Sequence, residues 1–261
     1  MSEKIRYRAE GGIGWVELHD PPANTYSYAM MKELDAAILD ARMDASVHAI
    51  VVRGAGDKFF CAGADIGMLT KADLSFKYFF CLHANETLNR LEQTPKVVIA
   101  AINGHCVGGG LEVALAADLR VGKRGGGKIG LPEVSLGVLP GTGGTQRLAR
   151  ALGRAKAFEL MATGKTMSME EAQGLGLIHE VFDAATFDAD VLRYAQQFLP
   201  PSRASKAVGL IKRAVVSGLE ASFSEGLAIE RELQQRLFES EDAKEGLAAY
   251  VEKRPPKFQG K

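Results

Sequence analysis

Three glycine-rich segments carry most of the residues whose types and spacing suit chemistry. The first is Phe59-Phe60-Cys61-Ala62-Gly63-Ala64-Asp65-Ile66. The second is Asn103-Gly104-His105-Cys106-Val107-Gly108-Gly109-Gly110-Leu111-Glu112. The third runs from Leu131-Pro132-Glu133 to Pro140-Gly141-Thr142-Gly143-Gly144-Thr145-Gln146-Arg147. The first two follow β-branched runs and so read as strand-to-helix turns, where open α/β sheets usually bind ligands. Small residues at such turns let backbone N–H groups come close to a ligand. In the second segment the glycines precede an expected helix over Leu111–Ala117, whose unpaired N–H groups and dipole favour negative charge. A thioester oxygen that gains charge in a transition state is a suitable guest. Taken singly, three glycines also make a tight turn with no ligand, Glu112 also fits as an ordinary first-turn acid, and Glu133 as a solvated loop acid.

Other motifs fail on their context. Gly125-Gly126-Gly127-Lys128-Ile129-Gly130 matches GxGxxG, but Pro132 follows two residues later and no helix is expected to open there. Gly164-Lys165-Thr166 resembles the end of a phosphate-binding loop, yet position 159 is Glu where that pattern needs Gly. There is no GxSxG elbow. His19, His48, His83, His105 and His179 are dispersed without metal-ligand spacing, so no metal is expected. Cys61, Cys81 and Cys106 form no CxxC pair and cannot all pair with one another, which points to a reducing, cytoplasmic setting.

The turns need elements to hold them. Ile13–Leu18, His48–Arg53 and Lys96–Ile102 read as strands, with weaker candidates at Ala117–Gly122 and Ile178–Phe182. Tyr28–Met43 reads as a helix with Leu34, Ile38 and Ala41 on one face, and Ser168 with Glu171 fits a capping box opening a short helix to Leu175. Asp20-Pro21-Pro22, Gly54-Ala55-Gly56-Asp57 and Gly125-Gly126-Gly127 mark turns. Strands separated by helices predict an α/β fold with mostly parallel pairing. Beyond Leu199-Pro200-Pro201 only helical pattern appears, with Phe223, Leu227, Leu233, Leu237 and Phe238 on one broad face. The division expected is a strand-and-helix core over residues 1–198 and a helical part over 199–261.

At 261 residues the chain is long enough to bury a sizeable core. Lys+Arg and Asp+Glu number 32 each, so the zero net charge gives no global case for nucleic acid or an anionic membrane. No apolar run approaches the roughly 18–20 residues that span a bilayer, and the N-terminal residues carry no signal-peptide core.

Taken together, FCAGADI, NGHCVGGGLE and GLPEVSLGVLPGTGGTQRL, in that order, resemble the enoyl-CoA hydratase/isomerase, or crotonase, superfamily. Asn24-Thr25-Tyr26-Ser27 is similar to that family's early turn and Tyr250-Val251-Glu252-Lys253-Arg254 to its C-terminal ending, so the likeness runs from about residue 10 to about residue 257. The resemblance implies a crotonase-like spiral of ββα repeats with a helical C-terminal oligomerisation part. It implies an oxyanion hole from the backbone N–H groups of Ala64 and Gly109, and two catalytic glutamates, Glu112 and Glu133. Hydratases of the family keep both acids, and isomerases usually keep the second. Hydration requires a proton to leave water as its oxygen attacks C3 and a proton to reach C2, so Glu112 is assigned as the base and Glu133 as the acid. First-turn placement favours the ionised form of Glu112, and two nearby carboxylates repel and share one proton.

The resemblance further implies that coenzyme A enters as part of the substrate, with no separate cofactor. Ala62, Gly63, Ala64, Asp65 and Ile66 would line its path, Thr25 and Tyr26 would face it, and Lys253 or Arg254 would meet its phosphates, from the same or a neighbouring subunit. A homotrimer or dimer of trimers is the assembly implied. Tyr26 stands where the family commonly has Leu, and His105 where it often has Tyr or Ala. The stretch from Met68 to Leu91, aromatic at Phe76, Tyr78, Phe79 and Phe80, matches no firm family pattern and is expected to shape the acyl pocket or to be plain helix core. Other crotonase reactions are the alternatives, chiefly double-bond isomerisation or a methylglutaconyl-CoA-type hydration. So is a binding protein on the same scaffold, RNA-binding included, against which stand the zero net charge and both glutamates.

Overall fold

The β-branched runs form the strands expected of them, with ends moved by no more than two residues. The computed structural model describes residues 3–261. β1 (Ile5–Glu10) pairs antiparallel with β2 (Ile13–Leu18), and β2 runs parallel to β3 (Ala49–Gly54). β3 is parallel to β5 (Val97–Ile102), β5 to β7 (Leu119–Lys123), and β7 to β10 (Glu180–Phe182), which gives the sheet order β1-β2-β3-β5-β7-β10. All six residues of β5 are buried, as a strand covered on both faces must be. Alternate residues divide between two cores, since side chains point to opposite faces. Ile50, Val52, Val98 and Ile102 join the larger core beneath the helices α1 (Tyr28–Met43) and α3 (Leu74–Glu92). Ile13, Val51, Ile99 and Val121 pack instead with Phe187 and Val191 of α8 (Phe187–Gln196).

A second, four-stranded sheet has the order β4-β6-β8-β9, from β4 (Phe59–Cys61), β6 (His105–Val107), β8 (Ile129–Gly130) and β9 (Thr166–Met167). The chain therefore visits the large sheet, then the small one, then a helix. β3, β4 and the helices α2 (Ile66–Lys71) and α3 make one such turn, and β5, β6 and α4 (Gly109–Leu115) the next. This ββα repetition is the expected α/β spiral. α4 begins two residues before the expected Leu111, so Gly109 is its first residue rather than a lead-in.

The caps are side-chain built where the sequence supplies them. Ser27 accepts from Met30 N at 3.3 Å and Asp73 from Phe76 N at 2.7 Å. The Ser168–Glu171 capping box opens α7 (Met169–Gly174). Between β8 and β9 lie α5 (Gly144–Leu152) and α6 (Arg154–Thr163). Gly125–Gly127 form the turn from β7 to β8, and no helix opens there.

After Phe182 the described residues contain no further strand. α9 (Ser205–Gly218), α10 (Phe223–Phe238) and α11 (Glu241–Glu252) complete the chain. α9 docks on the core by a buried ion pair, Lys212 Nζ to Asp118 Oδ2 at 2.9 Å, and by a backbone approach in which a Cβ at Gly209 would fall 2.0 Å from the Pro95 carbonyl oxygen. α10 lies against α9, where Leu233 and Leu237 face Ile211 and Val215 across an apolar groove. Phe223, at the far end of the same face, is 82% exposed. No helix is long and apolar enough to cross a membrane.

Candidate active site

The ends of β4 and β6 deliver the first two glycine-rich segments to one place. Tyr26 pairs with Ala64 in a single parallel bridge, Tyr26 N donating to Gly63 O at 2.9 Å and Asp65 N to Tyr26 O at 3.0 Å. Gly63 then lies against the start of α4, so close that a Cβ on it would fall 3.0 Å from Gly109 N. Gly108 caps α4 with φ 58° and ψ −135°, a conformation glycine reaches without a Cβ penalty. Gly109 and Gly110 are glycine for a different reason. A Cβ on Gly109 would sit 2.3 Å from the Tyr26 ring, and one on Gly110 2.0 Å from the Cys61 carbonyl oxygen. Among the described residues, neither Ala64 N nor Gly109 N donates to a protein acceptor. An unpaired donor at a helix start and a second one on the neighbouring loop are the parts an oxyanion site needs.

Both acids reach this point. Glu112, in the first turn of α4, is 2% exposed. Its Oε1 accepts from Thr142 N at 2.6 Å and Gly144 N at 2.8 Å. Gly144 is the first residue of α5 and Thr142 lies in the loop before it, so the N–H groups bonded to the anion come from the entry to α5 and not from Glu112's own helix. Burial holds the Glu112 carboxyl above its ordinary value, and the bonds from Gly144 and Thr142, with Arg147 nearby, offset only part of that. Glu133 opens a single 3₁₀ turn over Glu133–Leu136. Its Oε1 would lie 3.0 Å from a Cβ on Gly108, and its Oε2 is buried with no hydrogen-bond partner among the described residues. Burial pushes Glu133 up to about 7, with the Glu112 charge adding to the shift. An acidic oxygen left without a partner, on a carboxyl that lies against Gly108, is a marker of function rather than of stability. The two acids thus differ: one is anchored by donors that favour its charge, the other has none and keeps its proton up to about pH 7.

The third segment works in a way its spacing does not show. Thr142 and Gly144 anchor Glu112, and the Thr142 hydroxyl also meets Tyr26 Oη at 2.9 Å. Arg147 braces the loop from below, donating to Glu92 Oε2 at 2.9 Å and Asn89 Oδ1 at 2.7 Å. The PGTGG run is visible as a glycine cluster, but nothing in it announces contact with residue 112.

Thr25, Ala62, Gly63, Asp65 and Ile66 are brought together by the Tyr26–Ala64 bridge. Ala62 and Thr25 are half-buried and Ile66 is exposed, while the Asp65 carboxylate is occupied as the cap of α2, accepting from Met68 N at 3.1 Å. Tyr26 differs from expectation: it is buried, with its ring behind Gly109 and not along an open path. Lys253 stands apart, exposed in the left-handed conformation that ends α11. Arg254 is engaged by Glu245 at 2.6 Å and Glu252 at 2.6 Å. In the aromatic stretch only Phe80 turns inward, 5.9 Å from the Tyr26 ring, while Tyr78 and Phe79 are exposed. Cys61 and Cys106, registered on neighbouring strands, are buried, and burial pushes Cys61 up to about 12, so these thiols stay protonated. The described residues hold no cluster of three His, Cys, Asp or Glu side chains suited to a metal.

Comparison with known proteins covers nearly the whole chain. The model of the enoyl-CoA hydratase/isomerase family matches residues 8–261. A probable enoyl-CoA hydratase of Bacillus subtilis is 37% identical over 254 residues, covering 95% of each chain. A short-chain-enoyl-CoA hydratase of Clostridium acetobutylicum is 35% identical over 246 residues, covering 94% of this chain and 93% of its own. Among solved structures, an enoyl-CoA hydratase of Geobacillus kaustophilus superposes with a TM-score of 0.96 at 46% identity, covering 100% of this chain and 98% of its own. One from Bacillus anthracis superposes at 0.93 with 32% identity, covering 99% and 100%.

Proposed function

The chain belongs to the enoyl-CoA hydratase/isomerase family, and from that premise we propose that it hydrates a 2-enoyl-CoA reversibly to a 3-hydroxyacyl-CoA. The observation that carries this reading is the pairing of two differently held carboxyls with two adjacent unpaired backbone N–H groups. Ala64 N and Gly109 N receive the thioester oxygen, and as that oxygen gains charge each donor contributes about 3–4 kcal/mol. Glu112, whose anion is anchored by Thr142 and Gly144, takes a proton from water as the water oxygen bonds to C3. Glu133, pushed up to about 7, gives its proton to C2. The carbon–carbon double bond thereby gains H and OH on one face. A proton passing from Glu112 to Glu133 resets the pair.

Retention of both acids favours hydration over double-bond migration, which needs one group to move a proton between two carbons. Thr25, Ala62, Gly63, Asp65 and Ile66 line the entry for the CoA moiety in this reading, with Lys253 available to a phosphate in an assembly. The exposed apolar residues of the C-terminal helices, with Tyr250 at 85% and Phe223 at 82%, suit a homotrimer or dimer of trimers. The test is absorbance of the conjugated thioester with crotonyl-CoA, a 3-enoyl-CoA and methylglutaconyl-CoA. Loss of absorbance with crotonyl-CoA is the expected result. Turnover of the 3-enoyl-CoA alone would replace hydration with isomerisation.

A further inference from the structure

Tyr26 touches all three parts of the site at once. Its backbone is bonded on both sides to the strand that carries Ala64, through Gly63 O at 2.9 Å and Asp65 N at 3.0 Å. Its ring stands where a Cβ on Gly109 would be, 2.3 Å from that position. Its hydroxyl lies 2.9 Å from Thr142 Oγ1, and Thr142 N in turn donates to Glu112 Oε1 at 2.6 Å. The ring is itself fixed, buried at 3% exposure and backed by Phe80 at 5.9 Å. Among the described residues, Tyr26 is the one whose backbone bonds to Gly63 and Asp65 and whose side chain reaches both Gly109 and Thr142. A phenylalanine would fill the same volume, so the hydroxyl has a separate task.

We propose that Tyr26 is a positioning residue that holds both oxyanion-hole donors and Glu112 in one frame, donating its hydroxyl hydrogen to Thr142 Oγ1. Held in this way, Thr142 keeps its backbone N–H on Glu112 Oε1 at 2.6 Å. The frame thus runs from the Tyr26 hydroxyl through Thr142 to Glu112, and the N–H it holds in place favours the ionised form of the base. The ring meanwhile keeps the first turn of α4 from tilting toward β4. This assignment rests on Glu112 and the two N–H groups being the reacting site.

The test separates the chain of bonds from the reaction. In protein carrying glutamate labelled with 13C at the side-chain carboxyl, the Glu112 resonance is identified by its loss in Glu112→Gln, and its titration is followed by NMR. Tyr26→Phe is expected to raise the Glu112 midpoint by about half a pH unit or more, because a donor to the anion is weakened. Thr142→Val is expected to raise it as well, and Tyr26→Phe with Thr142→Val to raise it no further, as coupled groups are non-additive. Thr142→Ser, which keeps the hydroxyl, is expected to retain the wild-type midpoint. On crotonyl-CoA, Tyr26→Phe is expected to lower kcat about fivefold to tenfold with KM within about twofold, the pattern of an interaction felt in the transition state. A Glu112 midpoint unmoved by Tyr26→Phe, or shifts that simply add in the double variant, would overturn the proposal. If the wild type hydrates nothing while the midpoints move as stated, the hydration reading fails and the positioning role stands.

Discussion

Replacing Gly109 with alanine places a methyl group 2.3 Å from the Tyr26 ring and 2.4 Å from its hydroxyl. Carbon atoms prefer about 3.5–4.0 Å, so something must move by about 1 Å or more. Tyr26 cannot yield easily, because its backbone is bonded to Gly63 and Asp65 and its hydroxyl lies against Thr142. The first turn of α4 is the part left to shift, and it carries Gly109 N. An N–H donor works over about 2.7–3.2 Å, so a displacement of this size removes it from a fixed oxygen. Loss of one such donor costs about a hundredfold to a thousandfold in kcat, or about 2.7–4 kcal/mol. The assay is steady-state hydration of crotonyl-CoA well below the melting temperature of Gly109→Ala, with melting followed separately by circular dichroism. A Gly109→Ala variant that turns over within about threefold of wild type would refute the reasoning, since it would mean that the N–H of this residue does not bind the reacting oxygen.

Three further outcomes follow from the same geometry. Because burial pushes Glu133 up to about 7, its proton is present below that value and lost above it. Hydration kcat should therefore fall as pH rises through about 7, and a pH profile flat to 9 would exclude Glu133 as the acid. The same sign applies to folding: the protonated acid suits its buried site, so stability is lost as pH rises through about 7, and Glu133→Gln should melt higher than wild type at pH 8.5 with little difference at pH 5. Lys212→Met leaves Asp118 buried without its cation and should cost about 3–5 kcal/mol in urea denaturation, whereas an unchanged midpoint would show that α9 is not docked by this pair.

The large sheet is legible because β2, β3 and β5 are six-residue runs rich in Ile and Val, and burial on both faces demands such residues. β1 escapes notice since Arg6, Arg8 and Glu10 line an exposed edge strand and break the apolar pattern. The small sheet is invisible for another reason: strands of two or three residues show no period, and β8 and β9 exist only through their neighbours. The start of α4 misleads because three glycines depress helix propensity, while close packing on Tyr26 and the Cys61 carbonyl forces the backbone to coil there.

Glu112 and Glu133 can be found from their turns and from the family likeness. The loop that anchors Glu112 cannot, because Thr142 lies 30 residues from it in sequence and binds through a backbone N–H that any residue type possesses. Tyr26 is placed by its turn, but its partner Thr142 is 116 residues away. Only the fold shows that a residue expected to face a ligand is buried behind Gly109.

The proposed mechanism gives two glutamates separate duties in hydrating a thioester held by Ala64 and Gly109. It is tested most directly by following the loss of crotonyl-CoA absorbance in wild type, Glu112→Gln and Glu133→Gln at pH 6 and pH 8. Each substitution is expected to lower kcat by about 10²–10⁴, and the wild-type fall between pH 6 and pH 8 is expected to disappear in Glu133→Gln. Near-normal hydration by either variant would contradict it.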